Sequence, residues 1–424
     1  MSRSVLPVAL LLVTACSPQD AKSGQSQAAT TTPIPVPTGT PAPVPEGLPF
    51  NVTRIADFDS PFGLAFLADG SALITEKSGH LQLWQTDQKV VEVSGVPKVA
   101  TPGQGGLLDV AIAPDFATSS LIYFTYSEPR PTGSALAMAR ARLSRGHGAP
   151  PRLDNVEVLF RAGSDGDGGQ FGAVIAFAPD GKSLFLSSGE RQRFTPAQDP
   201  GQAIGKILHL TLDGKPFPGN PDAGKTGPAT VKVTDPPKDT VVAKTAPTRD
   251  FTFQGPNPAP ASTWSLGHRN PYGLAFDPSG NLWEIEMGPQ GGDEVNLILP
   301  GKNYGWPNAS FGENYDDVPI PDPKPGDGYE PPKLYWKPSI SPAGLIYYSG
   351  DQFPEWKGSL FLGAMSGQAL IRVKLDGTSA TKADQWDMQM RIRDVAQGPD
   401  GSIWLLQDGP RGESGWLMRL SPKK

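Results

Sequence analysis

Hydrophobic positions in this chain come in short runs broken by turn-forming residues, and one arrangement recurs. An apolar run leads into a turn carrying Asp and usually Gly, and a short strand of apolar residues follows. Six copies are present. The turn-plus-strand halves are Asp69-Gly70 before Ala72 to Thr75, Asp115 before Leu121 to Phe124, and Asp180-Gly181 before Leu184 to Leu186. Ser279-Gly280 before Leu282 to Ile285, Gly350-Asp351 before Leu360 to Leu362, and Asp400-Gly401 before Ile403 to Leu406 complete the set. Gly accepts the positive φ that tight hairpin turns demand, so each copy reads as a hairpin. Units this small cannot bury both faces alone, and radial stacking supplies the missing core. The pattern predicts an all-β fold, a six-bladed β-propeller of four-stranded antiparallel blades. A doubly wound α/β fold would need amphipathic segments of helix length, and Gly or Pro interrupts every candidate. Spacing between copies is greatest from Gly214 to Thr263, a Pro-, Lys- and Thr-rich stretch read as a surface excursion.

The ends of the chain read differently. Residues 1–15 open with Arg3 and the apolar run Val5 to Val13, too short to span a bilayer, and read as an export signal. The run closes on small residues before Cys16, which resembles the lipobox of bacterial lipoproteins, with Cys16 as the lipidation site. Residues 16–48 hold no aromatic residue up to Gly47 and read as a disordered Pro/Thr/Ser-rich tether. The propeller is then expected over residues 49–424, on an exported protein held at the periplasmic or outer cell surface through its lipid anchor only.

Composition narrows the partners. The chain of 424 residues has 49 Gly and 47 Pro, which disfavours helical bundles. A net charge of -6 spread without long blocks argues against nucleic acid. One cysteine forms no intrachain disulfide, and His80, His147, His209 and His268 are too scattered to spell out a zinc site. Acidic residues closely follow the strand in several copies, at Glu76, Glu128, Glu190, Glu286 and Asp408. Equivalent positions share a rim, where carboxylates either gather round a hard cation or stand as solvated strand ends.

Five segments go beyond a generic blade: Gly103 to Val110 (GQGGLLDV), Gly267 to Pro271 (GHRNP), Gly288 to Glu294 (GPQGGDE), Asn303 to Pro307 (NYGWP) and Arg391 to Asp394 (RIRD). In this order on six repeats the chain resembles the soluble aldose and glucose dehydrogenases dependent on pyrroloquinoline quinone (PQQ), the glucose/sorbosone dehydrogenase family, over roughly Phe50 to Pro422. The resemblance implies PQQ over the central channel, a bound calcium ion, and hydride transfer from an aldose to PQQ, with electrons passed to an external acceptor. PQQ is a flat tricarboxylate, and planar guanidinium forks suit it. Arg269, Arg391 and Arg393 fit that role, with Arg391 and Arg393 alternating on one strand face. Gln104 and Asn270 would add hydrogen bonds to the cofactor, or else anchor their loops. By the same resemblance the carbonyls of Gly288 and Pro289 help hold the cofactor's calcium, and Asp293, Glu294 and Tyr304 frame a structural one. Asp293 and Glu294 have a plainer alternative as caps on backbone amides.

The sequence departs from the family at the reacting centre. Gln170 stands where the family has its histidine base, and Val174 where an arginine usually follows. A neutral amide has no protonation equilibrium near neutral pH, and general-base assistance is worth about 10²–10⁴ in rate. Met287, Tyr272 and Ser366 are further departures, and Asp165, Asp167 and Glu190 are the substitute bases nearest in sequence or repeat position. Three readings follow: a PQQ- and calcium-dependent dehydrogenase of an aldose or related aldehyde, a catalytically impaired propeller binding a sugar or envelope glycan, and a calcium-dependent lactonase. The cofactor motifs favour the first. Substrate choice falls to loops that match little, Gly214 to Thr263 and Ser310 to Leu334.

Overall fold

The structure, a computed structural model, describes residues 46–423 except 147, 164, 238, 239, 244 and 410–413. The export signal, Cys16 and the tether up to residue 45 lie outside the described residues. Six four-stranded antiparallel sheets form the body. Their innermost strands are Pro61–Phe66, Leu107–Ile112, Gly172–Phe177, Pro271–Phe276, Pro342–Tyr347 and Ile392–Gln397, which define blades one to six and pack in a ring around a central channel. Ring closure is non-local: Phe50–Asp59 pairs with Ser414–Pro422 and so becomes the outer strand of the last blade. Among the described residues no helical segment exceeds four residues, and none is long and apolar enough to cross a membrane.

Turn chemistry explains the hairpins. Gly70, Gly181, Gly280 and Gly401 all adopt positive φ and donate their amide to the carbonyl three residues earlier. The two copies lacking an Asp-Gly or Ser-Gly pair join their strands through helical turns, Phe116–Ser119 and Pro354–Trp356. Cores form between blades. Trp283 and Ile285 of the fourth blade pack with Leu345, Leu360 and Leu362 of the fifth, all buried. Leu73 and Leu83 of the first meet Ile122, Phe124 and Ala137 of the second. At about 1.5–3 kcal/mol for each large apolar side chain buried, one blade alone would leave much of its stabilisation in water.

Each innermost strand carries a register irregularity near its start, the kind of bulge that bends a strand and re-aims its first residues. Two half-buried carboxylates staple neighbouring blades there. Asp109 accepts Ile175 N at 2.7 Å from the third blade, and Asp394 accepts Leu64 N at 2.9 Å from the first. Both line a channel cavity of about 260 Å³. Burial pushes Asp109 up to about 7, and burial with the Asp109 charge pushes Asp394 up to about 8. The stretch from Gly214 to Thr263 is more than an excursion. Its hairpin, Thr230–Thr234 with Thr248–Thr252, buries Val231 and Val233, and Arg193 Nε donates to Thr234 O at 2.7 Å.

Candidate active site

In an antiparallel pair the start of one strand and the end of the next share a rim. Residues preceding the innermost strands (Gln104, Gln170, Arg269, Asn270, Ser341, Arg391) therefore converge with those following the second strands (Lys77, Met287, Met365, Asp408). Together they line a basin of about 400 Å³ that shares Phe62, Tyr272 and Arg393 with the channel. Gln104, Gln170, Arg269, Asn270, Gly288, Arg391 and Arg393, expected from sequence, all face it. Glu190, Asp293, Glu294 and Pro289 do not, nor do Asp165 and Asp167.

One side of the basin is a cation cluster. Asp408 accepts Arg391 Nε at 2.7 Å, Arg393 Nε and Nη2 at 2.9 and 2.5 Å, and Lys77 Nζ at 3.0 Å. Three cations share one carboxylate, so two positive charges are left over in a partly dry site. Burial would raise the Asp408 carboxyl, but Arg393 and Lys77 outweigh it and hold the group well below the usual carboxylate range. Lys77 is pushed down to about 8 by burial, then by the Arg393 charge. The alternation of Arg391 and Arg393 brings both guanidiniums to one carboxylate. Lys77 was missed, although reading one residue past Glu76 in the repeat would have found it.

The opposite side holds the reacting-centre position. Gln170 has φ 54 and is buried, and its amide bridges two charges: the nitrogen donates to Glu190 and the oxygen accepts Arg269 Nη2 at 3.0 Å. Its backbone N donates to Gln104 Oε1 at 2.7 Å, so Gln104 anchors this loop. Asn270 likewise accepts Gly172 N at 3.3 Å. Arg191, fully buried, clamps the loop from behind by donating to the carbonyls of Gly166, Gly168 and Gly169 while lying 3.8 Å over the Phe171 ring. Glu190 is a buried cap that accepts Arg193 N at 2.5 Å and Phe194 N, and burial raises its proton affinity. Asp165 accepts Thr132 Oγ1 at 3.0 Å, away from the basin. Val174 lines the channel instead.

The expected calcium ligands are largely committed elsewhere. Gly288 O accepts Arg269 Nη1 at 2.5 Å, and Pro289 O accepts the Tyr315 hydroxyl at 3.1 Å. Asp293 accepts Gly288 N through Oδ1 and Ser339 Oγ, Ile340 N and Ser341 N through Oδ2, at 2.6–2.8 Å. It acts as a loop cap. The Tyr304 hydroxyl donates to Leu297 O at 2.6 Å and accepts Leu299 N at 2.9 Å, tying two backbone segments together. Glu294 sits among carboxylates the sequence reading did not group. Asn296 Nδ2 donates to Glu284, Glu286 and Glu294, all buried. His268, Glu284 and Glu286 offer ligand atoms within 4.8 Å of one another. Glu284 Oε1 and Asn296 Oδ1 are buried without a hydrogen-bond partner, a costly arrangement that a hard cation would relieve. Burial and the neighbouring Glu286 charge push Glu284 and Glu294 well up. The acidic rim as a whole is no shared cation site: Glu76 caps Asp59 N at 2.8 Å, Glu128 pairs with Arg161 at 2.9 Å, and Glu286 caps Arg269 N at 2.6 Å.

The fold and site define a six-bladed propeller with a cation-rich basin over its channel. The chain belongs to the glucose/sorbosone dehydrogenase family, whose model matches residues 58–232 and 241–419. It is 37% identical over 385 residues to aldose sugar dehydrogenase YliI of Escherichia coli, covering 88% of this chain and 93% of that one. Quinoprotein glucose dehydrogenase B of Acinetobacter calcoaceticus is 25% identical over 437 residues, covering 84% of each. The apo-form of the soluble E. coli aldose sugar dehydrogenase superposes with a TM-score of 0.75 at 36% identity, over 88% of this chain and 100% of that one. The PQQ-bound aldose sugar dehydrogenase of Streptomyces coelicolor gives 0.63 at 26% identity, over 88% and 98%.

Proposed function

We propose that the protein is a PQQ-dependent dehydrogenase that oxidises an aldose or related aldehyde and passes the electrons to an external acceptor. The observation that carries this is the cluster of Arg391, Arg393 and Lys77 round the single Asp408 carboxylate, which leaves two positive charges facing the basin. Such an excess suits a cofactor with several carboxylates. Arg391, Arg393 and Lys77 would hold those carboxylates, with Arg269 and Asn270 facing the cofactor from the other wall. When bound, PQQ supplies a two-electron acceptor for the hydride of the sugar carbon that carries the hydroxyl. The chain's own part is to fix the cofactor and seat the sugar beside it.

Gln170 cannot take the hydroxyl proton, because its amide nitrogen faces Glu190 and its oxygen faces Arg269. Glu190 is shielded behind it. The proton therefore leaves to solvent, and turnover runs about 10²–10⁴ below that of a site with a positioned base. Calcium belongs to the proposal as an ion held by Glu284, Glu286 and Glu294, where the orphaned Glu284 and Asn296 oxygens fit it. Gly288 and Pro289 fit an ion less well, since each carbonyl already accepts a donor and the adjacent side chain is the thioether of Met287. Export and acylation at Cys16 complete the reading, and an unmodified Cys16 in the intact mass of the mature protein would overturn that part.

The test is a PQQ titration of the calcium-loaded protein followed by absorbance, then addition of a panel of aldoses with a dye acceptor. Saturable binding with sugar-dependent dye reduction supports the proposal. Binding without reduction overturns the catalytic part, and failure to bind PQQ overturns it entirely.

A further inference from the structure

Met287 brings a thioether to the wall of the basin, beside the reacting-centre position. It lines both the basin and a small cavity shared with Gly288 and Trp306. Of the six methionines among the described residues it is the one that is not buried. Met138, Met365, Met388, Met390 and Met418 are each 4% exposed or less. The backbone beneath the side chain is fixed, since Met287 N donates to Asn270 O at 3.2 Å and Met287 O accepts Arg269 Nη1 at 3.0 Å.

The sulfur already takes part in the hydrogen bonding of the site. Asn270 Nδ2 donates to Met287 Sδ at 3.6 Å, while Asn270 Oδ1 accepts Gly172 N at 3.3 Å. A thioether is a weak acceptor, so this contact orients the Asn270 amide and leaves its donor open to a ligand in the basin. A sulfoxide in the same place would be polar and a far stronger acceptor. Sulfoxidation in a packed core disrupts folding, and on an open surface it changes little. Met287 stands between those cases, where an oxidant can arrive through the basin and the new oxygen stays among polar groups.

We infer that Met287 is a sulfoxidation site through which oxidants in the surrounding medium lower cofactor binding. The inference rests on the dehydrogenase reading for what is lowered, and on the geometry alone for where the oxidant reacts. With hydrogen peroxide, a sulfur lone pair attacks one peroxide oxygen, and the S–O bond forms as the O–O bond breaks. Sulfur gives up two electrons, and the departing hydroxide takes the proton of the transferred oxygen and leaves as water. The sulfoxide oxygen then claims Asn270 Nδ2, so a polyanion in the basin loses one donor and some room. Methionine sulfoxide reductases restore the thioether, which makes the change reversible.

The test treats the cofactor-free full chain with a limiting amount of hydrogen peroxide, maps sulfoxide by peptide mass spectrometry and then titrates PQQ by absorbance. Met287 is expected to react about tenfold or more ahead of the five buried methionines, because susceptibility follows exposure. PQQ affinity should fall about tenfold, the size of one hydrogen bond to a charged group, and reductase treatment should restore it. Met287→Leu, a volume-conserving change, should pass through the same treatment with its own affinity unchanged. Should that variant fold poorly, protection serves instead: PQQ bound beforehand should slow sulfoxide formation at Met287. Oxidation of Met287 no faster than that of the buried methionines, or a fully oxidised Met287 with unaltered PQQ affinity, overturns the inference. Selective oxidation of Met287 in a chain that never binds PQQ keeps the modification site and sinks the dehydrogenase reading together with the regulation.

Discussion

Replacing Gln170 with His is the most informative single change. Gln170 bridges Glu190 and Arg269 through its amide, at a backbone position with φ 54 where a short polar side chain is tolerated. An imidazole there keeps a donor toward the Glu190 carboxylate, which fixes the tautomer and stabilises the imidazolium once it forms. The other ring nitrogen then carries a lone pair that can take a proton, the basicity that the amide lacks. General-base assistance of about 10²–10⁴ corresponds to about 3–5 kcal/mol off the barrier. The assay is dye reduction with saturating aldose and protein fully loaded with PQQ, so that occupancy is equal in both forms. Gln170→His should raise kcat by at least about a hundredfold, and the rate should climb with pH as the imidazole loses its proton, because only the neutral ring is a base. Adding Glu190→Gln to that variant should remove much of the gain by releasing the tautomer. An unchanged kcat at full PQQ occupancy, or a gain with no new pH dependence, would refute the assignment of this position as the missing base.

Three further outcomes follow from the geometry. Arg393→Ala removes a buried guanidinium that meets Asp408 through two nitrogens, and should weaken PQQ binding by about 1.5–3 kcal/mol in an absorbance titration; unaltered affinity would take Arg393 out of the clamp. Lys77, pushed down to about 8 by burial and by Arg393, must be protonated to hold a carboxylate. Binding therefore takes up a proton once the free ammonium has titrated, so PQQ affinity should fall above pH 8, by up to about tenfold per pH unit, and Lys77→Met should bind more weakly at neutral pH and lack that fall. Arg191→Met strands the carbonyls of Gly166, Gly168 and Gly169 that its guanidinium now satisfies, and should cost about 3 kcal/mol or more in a denaturant titration.

The blade count and most of the basin were legible because both rest on local signals. Asp-Gly turns dictate hairpins within a few residues, and Arg269, Gln170 and Arg391 lie in short family-like stretches just before the innermost strands, which the ring brings together from far apart in the chain. Closure by Phe50–Asp59 against Ser414–Pro422 was not legible, since pairing across nearly the whole chain leaves no local trace. The hydrogen-bond commitments of Asp293 and of the Tyr304 hydroxyl were not legible for a related reason. A residue type states what a side chain can bind, whereas its hydrogen-bond partners decide whether a lone pair remains, and Asp293 uses its oxygens on four donors from two loops. Glu284, and its grouping with Glu286 and Glu294, was hidden in the opposite way, among buried strand residues whose shared face becomes visible only through Asn296.

Division of the basin between blades separates the Gln170 position from the cation cluster. Lys77, Met365, Arg391, Arg393 and Asp408 come from the first, fifth and sixth blades and are organised round Asp408. Gln104, Gln170, Glu190, Arg191 and Arg269 come from the second, third and fourth, organised round the Gly166 to Gln170 loop. Tyr272 lies between the two, with its hydroxyl 3.4 Å from Gln104 Oε1 and its ring 5.8 Å from Arg393. A change at Gln170 that keeps a hydrogen bond to Glu190 and to Arg269 leaves no buried charge unpaired, so the fold and the cation cluster tolerate it. The Gln170 loop and the Asp408 cluster can thus vary independently in this propeller, because different blades hold them.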